Sequence, residues 1–154
     1  MIEQCIWIEK DRNMKNHWIT WSLLSAVFAG ATAILAKIGV SEVDSNLATA
    51  IRTSVILLFT WGIALWDGSV THVPGINSRT WLFLTLSGLA TGASWLCYFR
   101  ALQLGPASRV APVDKLSVVF VIFFAAVFLG ERFSIAKLVG GFLIVAGAIV
   151  LTLD

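Results

Sequence analysis

Asp114 and Lys115 stand side by side in "APVDKLSVV", two residues after Pro112 and directly ahead of a run that carries no charge before Glu131. Lys37, Arg52 and Arg100 also interrupt or end apolar stretches. An ionisable group near the centre of a bilayer costs roughly 2.5–3.5 kcal/mol on insertion scales, so such residues mark ion pairs, proton relays or substrate pathways. Asp114 has the chemistry of a gating ion-pair partner or a proton carrier. Arg52 and Lys115 have that of a counter-ion. Trp95 and Tyr98, three residues apart, lie on one side of their segment and are placed to line a pocket for an organic substrate, or simply to pack. Enzyme chemistry has no foothold: no Ser/His/Asp arrangement, HExxH or phosphate loop is present, and His17 and His72 lie outside the apolar segments. Cys5 and Cys97 form neither a metal spacing nor a disulfide framework. No metal, cofactor or catalytic residue is expected.

The elements that must position these residues are membrane helices. The 154-residue chain is 58% hydrophobic and only 13% charged, where a soluble domain is about 25% charged. The mean hydropathy is +0.86. A net charge of +2 with no basic run is too small to argue for a nucleic-acid partner, and none is expected. Five apolar segments are found, Trp18–Ala36, Leu47–Trp66, Trp81–Phe99, Ala107–Leu129 and Ile135–Leu153, each near the about 20 residues that cross a bilayer as a helix. They do not alternate as barrel strands would. The fold class is therefore all-α, a polytopic membrane protein with five transmembrane helices joined by short loops, of which "DGSVTHVPGINSR" is the longest. Trp18, Trp21, Trp61, Trp66 and Trp81 near the segment ends read as interface anchors. Small residues, including a Gly88–Gly92 GxxxG pair, suit close helix packing. The first and third segments share a faint likeness, "LSAVFAGAT" against "LSGLATGAS".

Residues 1–14 form a polar tail with no signal-peptide character, and they read either as a genuine tail or as a start codon set upstream of Met14. Five spans put the termini on opposite sides. The N-terminal side collects Lys10, Arg12, Lys15, Arg79, Arg132 and Lys137, against Lys37, Arg100 and Arg109 on the other, with Arg52 and Lys115 deeper. This favours a cytoplasmic N-terminal side, but weakly enough to permit insertion both ways. Two inverted halves are a common transporter design.

All five intramembrane charges fall in the half remote from the N-terminal side. Neighbours on a regular helix point about 100° apart, so Asp114 is expected to pair with Arg52 of another helix rather than with Lys115. Lys37 and Arg100 are expected to snorkel to the headgroups. For Arg52, about 8 Å deep by helix rise, a structural ion pair and a substrate role are both open. Two readings of Pro112 remain. A helix beginning there leaves Asp114 in a first turn, compensating the dipole. A longer helix kinked at Pro112 puts Asp114 about 10 Å deep. Span length favours the second.

The stretch "ALQLGPASRVAPVDKLSVVFVIFFAAVFLGERFSIAKLVGGFLIVAGAIVL", with Pro112 early in the fourth span, Gly130-Glu131 at its end and Gly140 and Gly147 in the fifth, resembles an EamA-like domain of the drug/metabolite transporter superfamily. "FAGATAILAKIGV" and "LATAIRTSVILL" are similar to that family's first two spans. The likeness covers residues 15–153. It implies one half of an inverted-repeat transporter, since many members carry two such domains in one chain. Here the second half would come from a homodimer, antiparallel pairing included, or from a heterodimer. The expected function is secondary transport of a small metabolite across the cytoplasmic membrane by alternating access. Arg52, Trp95, Tyr98, Asp114 and Lys115 would form the pathway or its gate, and Pro112 the kink. A non-transporting subunit that scaffolds a partner protein is the competing class. The first span has no acidic residue, so the proton mechanism of small multidrug-resistance relatives does not carry over. Glu131 reads as a tight-turn residue near Ser134, where the last helix is capped.

Overall fold

The structure, a computed structural model, describes the side chains of residues 17–153. The polar tail over residues 1–14, with Cys5 and the question of Met14, lies outside them. The elements are α1 (Ile2–Gly39), α2 (Ser45–Trp66), α3 (Ser78–Leu104), α4 (Ala107–Asp114), α5 (Ser117–Leu129) and α6 (Ile135–Leu153), with a 3₁₀ segment at Ser69–Gly75 after α2. No strand occurs among the described residues. Five stretches are long and apolar enough to span a bilayer: His17–Gly39, Ser45–Trp66, Ser78–Leu104, Ala107–Leu129 and Ile135–Leu153. The protein is an all-helical, polytopic membrane protein. Helix is the outcome because lipid offers no partner for a backbone amide, so each span must satisfy its own.

The spans extend by one to five residues beyond several of the expected ends, and two differences bear on the site. Helix α3 does not stop at Phe99 but continues to Leu104, which brings Arg100 and Gln103 inside the helix. The fourth span is two helices, α4 and α5, separated at Lys115 and Leu116.

Helix ends follow local chemistry. Asp44 caps α2 by accepting the Asn46 and Leu47 amides at 2.8 and 3.3 Å. Asn77 does the same for α3 through Thr80 at 2.8 Å. Just past α2, the Ser69 hydroxyl and amide donate to Asp67 and hold its carboxyl below the usual carboxylate range. Helix α5 ends at Gly130 with φ 69°, a left-handed conformation that glycine adopts without strain. The Gly130 and Glu131 amides both reach the Ala125 carbonyl, the latter at 3.2 Å. Beyond the turn, Glu131 pairs with Lys137 at 2.8 Å, and Ser134 Oγ accepts the Lys137 amide at 3.2 Å. Glu131 thus serves the turn that the sequence indicates.

The chain divides into two units, Met1–Leu35 and Ala36–Asp154. The first contains α1 as far as Leu35. In the second, α2 packs on α3, α4 packs on α3 and α6, and α5 packs on α6. Its buried centre is small: Ala36, Val40, Phe99 and Leu102, with Ala48, Tyr98, Ala107 and Val110 against them. On α6, Gly141 and Ala148 are buried one heptad apart, and a Cβ at Gly141 would stand 3.6 Å from Ile122 Cδ1 of α5. Large apolar side chains such as Leu58, Phe59, Phe128 and Leu153 are exposed. Contiguous apolar surface of this extent requires a covering that water does not supply, and acyl chains do. A Cβ added at Gly88 or Gly92 meets nothing within 4 Å, so that GxxxG pair makes no close packing contact among the described residues.

Candidate substrate pathway

On α2, Ser45, Thr49 and Arg52 recur at helical spacing on one face, and the first two are buried at 3% and 5% exposure. Burying the Thr49 hydroxyl costs little, because Thr49 Oγ1 donates to the Ser45 carbonyl at 2.7 Å. This face delivers Arg52 to α3. Its guanidinium carbon lies 4.4 Å from the centre of the Trp95 ring and 5.3 Å from that of Phe99. A guanidinium over a ring face is held by the ring quadrupole, worth from about 0.5 to 2 kcal/mol as water is excluded. Phe99 was not singled out from the sequence, although its i+4 spacing from Trp95 is the signal that places both rings on one face. Tyr98 contacts Phe99 edge-on, with ring centres 6.5 Å apart. It lies within electrostatic reach of both Arg52 and Asp114.

The expected pair between Asp114 and Arg52 is not formed. Asp114 instead pairs with its neighbour, Lys115 Nζ to Asp114 Oδ2 at 3.3 Å. The 100° argument holds only inside a regular helix, and Asp114 is the last residue of α4. Lys115 caps it, and its amide reaches the Ala111 and Pro112 carbonyls at 3.3 and 3.1 Å. The Leu116, Val118 and Val119 amides then bond three residues back, at 2.9–3.1 Å, in the tighter 3₁₀ pattern. Pro112, which has no amide proton to give to the turn before it, lies one turn ahead of this interruption. Helix α4 starts before the proline, at Ala107 after Pro106. Asp114 is therefore about 10 Å along the span by helix rise.

Lys37 does not snorkel. Its ammonium donates to the Leu102 carbonyl and, at 2.9 Å, to the Gly105 carbonyl, at the C-terminal end of α3. The last carbonyls of a helix lack amide partners and carry its negative dipole end, so a cation there satisfies both. Arg100 Nη1 donates to Gln103 Oε1 at 3.0 Å, and the Gln103 amide donates to the Val43 carbonyl at 2.8 Å. This ties the turn before α2 to the end of α3. At Gly105 a Cβ would stand 3.2 Å from Val110 Cγ2, so a larger residue there would need Val110 to shift by a few tenths of an ångström.

Between α3, α4 and the end of α6 lies an open cavity of about 440 Å³, walled mainly by Tyr98, Ala101, Val110 and Val113, with Thr152 at its α6 edge. Two charged residues line it, Asp114 and Arg109. A second cavity, of about 770 Å³, shares Cys97 and Ala101 with it and reaches Asp44 and Arg100. Of the residues anticipated from the sequence, Tyr98 and Asp114 line the first cavity, Arg52 and Trp95 stack beside Tyr98, and Lys115 is drawn in through Asp114. Arg109 had been read only as a helix-end cation. The repeat Arg109–Val113 and Val110–Asp114 at i,i+4 is the pattern that puts all four on adjoining rows of α4.

A set of apolar spans, one of them interrupted beside charge, around a cavity with convergent polar groups defines an integral membrane protein of transporter type. The pattern of the EamA-like transporter family matches residues 16–153, and the chain belongs to that family. It is 53% identical over 138 residues to a protein of a Sinorhizobium species named "Uncharacterized transporter in cobO 3'region", a match covering 90% of this chain and 98% of that protein. No solved structure matches the chain.

Proposed function

We propose that the protein is a secondary transporter of a small metabolite across the cytoplasmic membrane, working by alternating access as a dimer of five-span halves. The observation that carries this reading is the cavity of about 440 Å³ at the interrupted fourth span, mostly apolar in its walls, with Ser94, Tyr98, Arg109, Asp114 and Thr152 among its polar groups. Its volume suits a small organic molecule. Broken helices beside charge are where transporters bind substrate, because the freed backbone and the ionisable group need a wet, protein-lined site. The dimer follows the general design of transporters built from two inverted halves around one site. The Arg52–Trp95 stack and the Asp114–Lys115 pair would form the gate, because each can exchange its present partner for a substrate group or for a residue of the second half.

The test is release from proteoliposomes. The purified chain is reconstituted into vesicles loaded with a bacterial small-molecule extract, and the contents are followed by mass spectrometry. A limited set of metabolites should leave protein-containing vesicles faster than empty ones. Identical release profiles would support the scaffold reading instead.

A further inference from the structure

We infer that the cavity selects an amphipathic organic anion, a carboxylate or phosphate carried on an apolar body, with the Arg109 guanidinium as its counter-ion. The inference rests on the reading of this cavity as the substrate site and goes further by giving the substrate's charge. The argument begins with charge balance. Asp114, the one acidic residue lining the cavity, is matched by Lys115 at 3.3 Å. Arg109 has no ion-pair partner among the described residues. The nearby Arg52 is held by aromatic rings rather than by a carboxylate. Arg100 is spent on the Gln103 amide oxygen. Among the described residues, Arg52, Arg100, Arg109 and Lys115 outnumber Asp114 and the Asp44 of the adjoining cavity, so the site carries net positive charge in largely apolar walls, where low dielectric strengthens attraction for an anion. A guanidinium presents a planar fork of donors that matches the two oxygens of a carboxylate or phosphate. Tyr98, Ala101, Val110 and Val113 supply the apolar contact. An amine-bearing substrate would have to draw Asp114 away from Lys115 and approach Arg109 and Arg52.

Cys97 reports on occupancy, because its exposed thiol lines the same cavity. In a Cys5→Ser background it is the only thiol. The rate of its alkylation by N-ethylmaleimide is measured in phosphatidylcholine nanodiscs with 3-phenylpropionate, 3-phenylpropanamide or phenethylamine. The acid should protect Cys97, with the amide needing at least about tenfold more for the same effect and the amine giving none. Arg109→Gln should erase the difference between acid and amide while leaving amide protection intact, which shows that the variant is folded. Arg109→Lys should retain part of it. Equal protection by acid and amide in the parent protein overturns the charge inference and leaves the cavity as a substrate site. Stronger protection by the amine also overturns it and makes Asp114 the anchor. Protection by none of the probes overturns both. An oxyanion could also come from a lipid headgroup. If phosphatidylglycerol alone slows labelling and removes the effect of the acid, Arg109 binds lipid and the substrate assignment fails.

Discussion

Asp114→Asn is expected to cut transport of any released metabolite by at least about tenfold, equivalent to about 1.4 kcal/mol in the barrier, while leaving the protein folded. The substitution keeps the shape of the side chain and removes its charge. Its pair with Lys115 is partly exposed, at 37% for the Asp114 side chain and 58% for Lys115. Pairs of that exposure contribute only about 0–1 kcal/mol to stability. The effect on transport is larger for two reasons. Asp114 is the acidic residue lining the cavity, and its neutralisation leaves Lys115 without its ion-pair partner. The site then holds an anionic substrate too tightly to release it, or loses the switch that opens it. Release rates and thermal unfolding, measured on the same preparation, check the prediction. Full transport by the variant would reduce the pair to a structural detail of the helix interruption.

Lys37→Met should act in the opposite way, on stability first. It removes two hydrogen bonds from a charged donor to the Leu102 and Gly105 carbonyls, and Leu102 is fully buried. Hydrogen bonds to charged groups contribute about 1.5–3 kcal/mol each, and the Leu102 carbonyl would be left buried without this partner. A loss of about 2–4 kcal/mol is expected. Lys37→Arg should recover most of it, and Ile38→Met, at an exposed neighbouring position, should be neutral. Detergent unfolding of the three variants decides the point. A Lys37→Met protein as stable as the parent would mean that the ammonium lies in the headgroups after all.

The contrast between these residues shows what the sequence could and could not disclose. Spans are legible because membrane insertion depends on composition over about 20 residues, a property of the string itself. That Pro112 lies inside a helix is legible from span length, since a start at Pro112 leaves barely enough to cross. The partners of the charges are less so. Lys37 bonds to backbone carbonyls, which every residue carries and no pattern distinguishes. The Asp114–Lys115 pair depends on the helix ending between them, and helical phase says nothing once the helix is interrupted. Arg52 was recognised as unusual, but its placement on rings rather than on a carboxylate follows from the packing of α2 on α3, with Ser45 and Thr49 buried on the same α2 face. Arg109 was masked by its position near a span end, where a cation is ordinary.

The most direct test of the central claim, that substrate passes through the cavity at the interrupted fourth span, is release after blocking that cavity. Cys97 in the Cys5→Ser protein is alkylated with a bulky maleimide before reconstitution, and efflux of the transported metabolite is measured against the unmodified protein and against Cys97→Ala treated identically. Alkylation should abolish efflux in the first case and leave the Cys97→Ala protein unaffected. Undiminished efflux from fully alkylated protein would contradict the account, because a filled cavity could not then be the route.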